Sequence, residues 1–256
     1  MINSRRLLKR IVDTRIEFAY SDFDVNEFLK KLESKNKGLI RIYDAFGYSE
    51  NGHPIPVIDV GDSKKRLLSF GRIHGDEKSS TYGVLGTANF LSSGDELAKE
   101  ILGCCSFVGV PMLNPDGALD NKRLNSKRID INRDFESFAS KEALTAKSIL
   151  RYFNPSYVLD HHESNKSVST VFGNENEDDL KGRVEASIVE VWKGKNYRVS
   201  YSISDKASYV GQLVNFSSDK YCSSTIVEVS RSNTFQDRID MHSSCDLITM
   251  LLVGSS

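Results

Sequence analysis

The chain has 256 residues, 39% hydrophobic and 27% charged, and its 34 basic and 35 acidic side chains leave a net charge of −1. That length supports one large domain with a full core, and the near-neutral balance excludes a strong field for nucleic acid or an anionic membrane surface. No apolar run approaches the roughly 18 residues of a membrane span, and the N-terminus lacks the apolar core of a secretory signal, so a soluble, cytoplasmic protein is expected.

The basic cluster "SRRLLKR" near the start reads as a solvated terminal segment. "FDVNEFLKKLESKN" follows, with Phe23, Val25, Phe28, Leu29 and Leu32 at helical spacing. "GLIRIYDAFGYS" and "IPVIDVG" read as strands joined by the turn "SENGHP", and "RLLSFGRIH" as a buried strand ending at His74. Helical stretches are expected in "YGVLGTANFL" and "LAKEIL", then a strand, "CSFVGVPMLN", closed by the turn "NPDG". A polar loop runs to about residue 136, followed by the helix "KEALTAKSILRYF", the strand "SYVLDHHE", the helix "LKGRVEASIVEVWKG", the strand "STIVEVS" and a terminal helix "FQDRIDMHSSCDLITMLL". Cys104, Cys105, Cys222 and Cys245 form no CxxC pair and read as free thiols in a reducing compartment.

Alternating strands and helices, with several strands as unbroken apolar runs, predict an α/β fold. A single domain is expected, with a mostly parallel or mixed twisted sheet and helices on both faces. Sites in such sheets gather at the carboxyl ends of the strands. His74, "NPDG", the pair His161 and His162, and Glu228 all fall at predicted strand ends. His74 and Glu77 are three residues apart, and an imidazole nitrogen with a carboxylate oxygen suits zinc. A third ligand is offered by "LDHHES", where residues 160 and 162 share one face of the strand and His161 takes the other.

The segment "NPDGALDNKRLNSKRIDINRDF" extends this pattern. Together with "HGDE", "LDHHES" and "STIVEVSRSNTFQDRIDMH", it resembles the zinc carboxypeptidase family in its compact bacterial form, a group related to succinylglutamate desuccinylases and aspartoacylases. The resemblance runs from about residue 23 to 245. It implies a catalytic domain over 23–256, preceded by an N-terminal extension over 1–22. It also implies one zinc per chain, bound by His74, Glu77 and His162, with Glu228 as the general base and Arg123 as the oxyanion donor. Asn132 and Arg133 would hold a substrate carboxylate, Asp130 would orient the His74 ring, and Tyr209 is the nearest candidate for the substrate-covering tyrosine. The sequence departs from the family pattern at Asp134, where an Asn is usual after the anchoring Arg, and at Arg128, where a Gly is usual. His53, His161, His242 and the cysteines are read as structural or surface residues.

The activity implied is hydrolysis of a C-terminal peptide or amide bond by a metallopeptidase acting on peptides. The competing readings are a zinc-dependent N-acyl amino acid deacylase, and a catalytically inactive relative that binds peptide termini. Neither nucleic acid nor a membrane is expected as a partner. The natural substrate and the oligomeric state are not legible in the sequence.

Overall fold

A computed structural model describes residues 4–16, 25–36, 38–173, 179–203 and 211–256. In chain order these form α1 (Ser4–Asp13), α2 (Val25–Lys35), β1 (Ile40–Tyr48), β2 (Pro54–Val60), β3 (Arg66–Phe70), α3 (Lys78–Leu91), α4 (Glu96–Leu102), β4 (Ser106–Val110), α5 (Pro115–Asp120), a 3-10 turn (Ile131–Arg133), α6 (Lys141–Phe153), β5 (Tyr157–Ser164), β6 (Ser169–Gly173), α7 (Leu180–Gly194), β7 (Val199–Ile203), α8 (Leu213–Lys220), β8 (Ser224–Ser230) and α9 (Phe235–Ser255). Among the described residues no helix is long and apolar enough to cross a membrane.

The strands form one eight-stranded mixed sheet in the order β1-β2-β4-β3-β5-β8-β6-β7. Its centre, β4-β3-β5-β8, is parallel, while β1, β2 and β6 make the antiparallel pairings toward the edges. The central strands are almost wholly buried because helices cover both faces. Successive residues alternate between two cores. Leu67, Phe107, Tyr157 and Val227 pack with α3, α7 and α9 on one face. Leu68, Val108 and Val158 pack with α6 and the start of α8 on the other.

Helix α9 is buried continuously from Ile239 to Val253, enclosed by the sheet, α3, α4, α7 and α1. The "SRRLLKR" segment is therefore not simply solvated. It folds into α1, whose Leu7 and Ile11, one helical turn apart, are buried in the main core while Arg5 and Lys9 face outward. Asp240 in α9 pins the chain that follows α1, accepting from the Ile16 amide at 2.6 Å, the Tyr197 hydroxyl at 2.9 Å and Lys195 Nζ at 3.0 Å.

The structure differs locally from the sequence expectation in three places. β3 stops at Phe70 rather than His74. Arg72 turns into the left-handed region at φ 51°, and its amide leaves the sheet to donate to Ser80 Oγ at 2.8 Å. "NPDG" opens α5 rather than closing a turn, with Asn114 as N-cap and Pro115 in the first turn. The strands β6 and β7 and helix α8 carry too few consecutive apolar residues to register as a pattern; "STVFG" and "VSYSI" are short and half polar.

Candidate metal centre

The carboxyl ends of β3, β4, β5 and β8 converge on one site. After Arg72 leaves the sheet, a tight turn closes with the Glu77 amide donating to the His74 carbonyl at 3.1 Å. The three-residue spacing thus acts through a turn that ends at the N-cap of α3, where Glu77 sits. Gly75 inside that turn lies directly on Gly117, and a side chain at either position would overlap backbone. Asn114 holds the two segments together. Its Nδ2 donates to the carbonyls of Ile73 at 3.3 Å and Arg123 at 3.2 Å, while its Oδ1 accepts from the Gly117 amide at 2.8 Å. Asp116 ties in two more loops, accepting from Ser49 Oγ at 2.5 Å, Ser126 Oγ at 2.6 Å and the Asn51 amide at 3.1 Å. The "NPDG" motif is therefore scaffold, fixing where His74, Glu77 and Arg123 stand.

His74, Glu77 and His162 are all buried, and one donor atom from each lies within 4.8 Å of the others. His74 Nδ1 is 2.8 Å from Glu77 Oε1, His162 Nδ1 is 2.9 Å from Glu77 Oε2, and the two Nδ1 atoms are 3.1 Å apart. Donors sharing one zinc at about 2.0–2.2 Å stand roughly 3.2–3.6 Å apart in a tetrahedron, so these atoms need little adjustment to meet on a metal. Both rings turn Nδ1 inward because each Nε2 is engaged outside. His74 Nε2 lies 3.2 Å from Asp130 Oδ1. His162 Nε2 lies 2.9 Å from Asp160 Oδ2 and 2.9 Å from Asn132 Nδ2. A carboxylate behind each imidazole fixes the tautomer that leaves Nδ1 free to ligate.

The electrostatics ask for positive charge at this point. Burial opposes ionisation of Glu77, but the His162 and His74 rings outweigh it and hold its carboxyl well below the usual range. Burial likewise works against charge on His162, yet Asp160 and Glu77 raise its pKa well above the ordinary value. His74 is raised by Glu77 and Asp130 against the same opposition. Carboxylates thus surround two imidazoles in a site nearly closed to water, an arrangement that a divalent cation satisfies. The donor chemistry and the spacing both fit zinc.

Glu228 on β8 is paired in register with His162 on β5, so the two side chains leave the sheet on the same face. Burial pushes the Glu228 carboxyl up, partly offset by His162. Arg123 is about half exposed and sets Nε and Nη2 on Asp130 Oδ2 at 3.1 and 3.0 Å. Asp130 therefore bridges His74 and Arg123. The Asn132 side chain is spent inside the protein: Nδ2 reaches His162 and, at 3.2 Å, Asp160, and Oδ1 accepts from the Leu213 amide at 2.9 Å. Arg133 is partly buried, with Nη1 donating to the Asn132 carbonyl at 2.6 Å, and Gly211 packs against its backbone carbonyl. Asp134 points away from the site, accepting from Ser140 Oγ at 2.7 Å, the Ser140 amide at 2.8 Å, the Ala139 amide at 2.9 Å and the Ser137 hydroxyl. Its oxygens are occupied by that loop. Arg128 sits at φ 64°, in the left-handed region that glycine adopts most readily. Tyr209 lies outside the described residues.

His161 faces the opposite side of the sheet, with Nε2 at 3.0 Å from Asp246 Oδ1 and Nδ1 at 3.1 Å from His242 Nδ1. His53 is part-exposed and 4.0 Å from Asp116. The four cysteines are free. Reading the sequence misses Asp160, Glu163 and Arg231 around the site. Asp160 carries a signal, two residues before His162 on the same strand face. Glu163 and Arg231 carry none, because their partners come from distant segments.

The mixed α/β sheet carries at its parallel strand ends a two-histidine, one-glutamate cluster of a kind that could hold a metal ion. The family model for zinc carboxypeptidases matches residues 25–171, more than half of the chain, and the chain belongs to the zinc carboxypeptidase family. It is 31% identical over 121 residues to Carboxypeptidase SOL1 of Arabidopsis thaliana, covering 44% of this chain and 24% of that protein. It is 32% identical over 125 residues to Cytosolic carboxypeptidase 6 of Caenorhabditis elegans, covering 44% and 27%. The matched segment thus spans about a quarter of each of these relatives. Among solved structures, the metallo-carboxypeptidase from Burkholderia cenocepacia superposes with a TM-score of 0.77 at 17% identity, covering 92% of this chain and 69% of that one. Carboxypeptidase A from Helicoverpa armigera superposes with a TM-score of 0.75 at 14% identity, covering 99% and 80%. At these identities the structural likeness establishes the fold.

Proposed function

We propose that the chain is a zinc metallocarboxypeptidase, holding one zinc per chain through His74, Glu77 and His162 and hydrolysing a C-terminal peptide bond. The observation that carries this reading is the meeting of those three donors beside Glu228, which the β5–β8 register sets on the same face as His162. Zinc in such a site supplies Lewis acidity to the scissile carbonyl and lowers the pKa of a water to about 7. Glu228 accepts the proton of the attacking water and passes it to the leaving amine, a role that suits a carboxylate raised by burial. Arg123, anchored on Asp130 and half open to solvent, turns its guanidinium to the developing oxyanion. A donor in that role is worth about 10² to 10³ in rate. Arg133 binds the free α-carboxylate. Asn132, whose Nδ2 donates to Asp160 and whose Oδ1 accepts from the Leu213 amide, supports the site by holding the carboxylate behind His162 and the start of α8.

The test joins metal analysis to a digest of matched peptides with free and amidated C-termini. One zinc per chain, single-residue ladders from the free C-terminus and at least a tenfold loss on amidation are expected. That factor follows from a charge-assisted hydrogen bond worth about 1.5–3 kcal/mol. Internal cuts, or equal cleavage of amides and free acids, remove the carboxylate anchor. Turnover of N-acyl amino acids without peptide cleavage replaces the peptidase reading with the deacylase one.

A further inference from the structure

A helix start leaves backbone amides without partners, and the N-cap side chain ordinarily accepts from one of them. Asp95, Asn114, Ser140, Asp179 and Thr234 do this for α4, α5, α6, α7 and α9. The N-cap of α8, Gln212, makes no such bond, and neither does the N-cap of α3, which is Glu77. Both of its oxygens are turned to His74 and His162 instead. One carboxylate cannot face the metal-ligand cluster and the helix amides together.

The missing bond comes from another strand. The buried amide of Ser79, in the first turn of α3, donates to Glu163 Oε1 at 2.6 Å, and Ser79 Oγ donates to the same oxygen at 2.7 Å. Glu163 follows His162 on β5 and leaves the sheet on the opposite face. Its second oxygen is held by Arg238 from the first turn of α9, with Arg231 Nε at 3.5 Å. Arg231 then reaches Asp76, between the two ligands of the turn, with Nη2 at 2.9 Å from Asp76 Oδ2.

We propose that Glu163 is a positioning residue, a cap supplied in trans to α3 that releases Glu77 to act as a metal ligand. This rests on the metal-centre reading above. Without Glu163, the Ser79 amide is a buried donor with no acceptor, and the carboxylate nearest in the chain is Glu77 itself. Capping and ligation then compete, so metal affinity depends on a residue that touches no metal.

The experiment measures zinc affinity by chelator competition on the full chain, as parent, Glu163→Ala and Glu163→Gln. Glu163→Ala is expected to weaken zinc binding about 10- to 100-fold. Glu163→Gln, which keeps an oxygen for the Ser79 amide, is expected to stay within about threefold of the parent and to keep that amide protected in hydrogen exchange. In zinc-free protein, Glu77→Ala should destabilise the Glu163→Ala background more than the parent, because there Glu77 has taken over the cap. A Glu163→Ala protein with parental zinc affinity overturns the proposal, as does an equal loss in both variants, which assigns the effect to the charge on Glu163. If Glu163→Ala fails to fold, the Glu163→Gln affinity and Ser79 exchange decide alone, and loss of either overturns it. A parent chain that binds no zinc overturns the metal-centre reading instead, and the zinc-free cycle then still tests the cap.

Discussion

His161 and His162 are neighbours in the chain and end in opposite environments, because a strand sends successive side chains to opposite faces. His162 joins the ligand cluster, whereas His161 braces Asp246, whose other oxygen takes Thr87 Oγ1 at 2.8 Å. The two alanine variants should therefore separate cleanly. His162→Ala loses zinc with the fold retained. His161→Ala keeps zinc but costs about 1–3 kcal/mol in denaturant unfolding, since it leaves a buried Asp246 oxygen without its hydrogen-bond partner. Zinc retention by His162→Ala together with zinc loss by His161→Ala would reverse the ligand choice. For the proposed base, Glu228→Gln preserves shape and removes the proton acceptor. Turnover should fall by about 10²- to 10⁴-fold at near-normal zinc content, and activity within tenfold of the parent would take Glu228 out of the mechanism.

At the scale of elements, the stretch between the 3-10 turn and α6 is organised by Asp134. Its carboxylate collects the hydroxyls of Ser137 and Ser140 and the amides of Ala139 and Ser140, and Ser140 in turn caps α6 by accepting from the Ala143 amide. Burial resists ionisation of Asp134, but the Ser137 and Ser140 hydrogen bonds outweigh it and lower its pKa. A carboxyl lowered in the folded state stabilises the protein above the unfolded value of about 3.9 and loses that contribution as pH falls through the folded value. Asp134→Ala is expected to cost about 2–4 kcal/mol near neutral pH. The deficit should shrink as the pH is lowered below about 4. Urea titrations at a series of pH values check both points, and a deficit independent of pH would show that the charge is not what the loop uses.

At the scale of the molecule, α9 is buried on all sides, and α1 supplies part of that cover beside α3 and α7. Ile11 in α1 is fully buried in the same core as α3, α7 and α9. Ile11→Ala should lower global stability by about 2–5 kcal/mol while leaving zinc affinity at the parental value, because α1 and the metal centre lie in different parts of the fold. Stripping zinc with a chelator should do the reverse, abolishing hydrolysis with the cooperative unfolding transition preserved. A core of this size does not depend on the metal to form. Collapse of the far-UV circular dichroism on chelation would contradict that division.

The sequence by itself determined the elements whose signal is local. Long apolar runs fixed the central strands, helical spacing fixed α2, α6 and α7, and the pairs His74/Glu77 and Asp160/His162 could be placed on shared faces from spacing alone. Tertiary structure decided whatever depends on what an element packs against. "SRRLLKR" reads as solvated until α9 is there to receive Leu7 and Ile11. "NPDG" reads as a turn until Gly75 is found pressed on Gly117. Asp134 reads only as a departure from the family pattern until the 137–140 loop is seen to take its oxygens. Glu163 is silent in the sequence because its partners, Ser79, Arg231 and Arg238, lie 84, 68 and 75 positions away. Periodicity encodes which way a side chain faces along its own element, and only the packed sheet brings in the distant groups that give that direction a use.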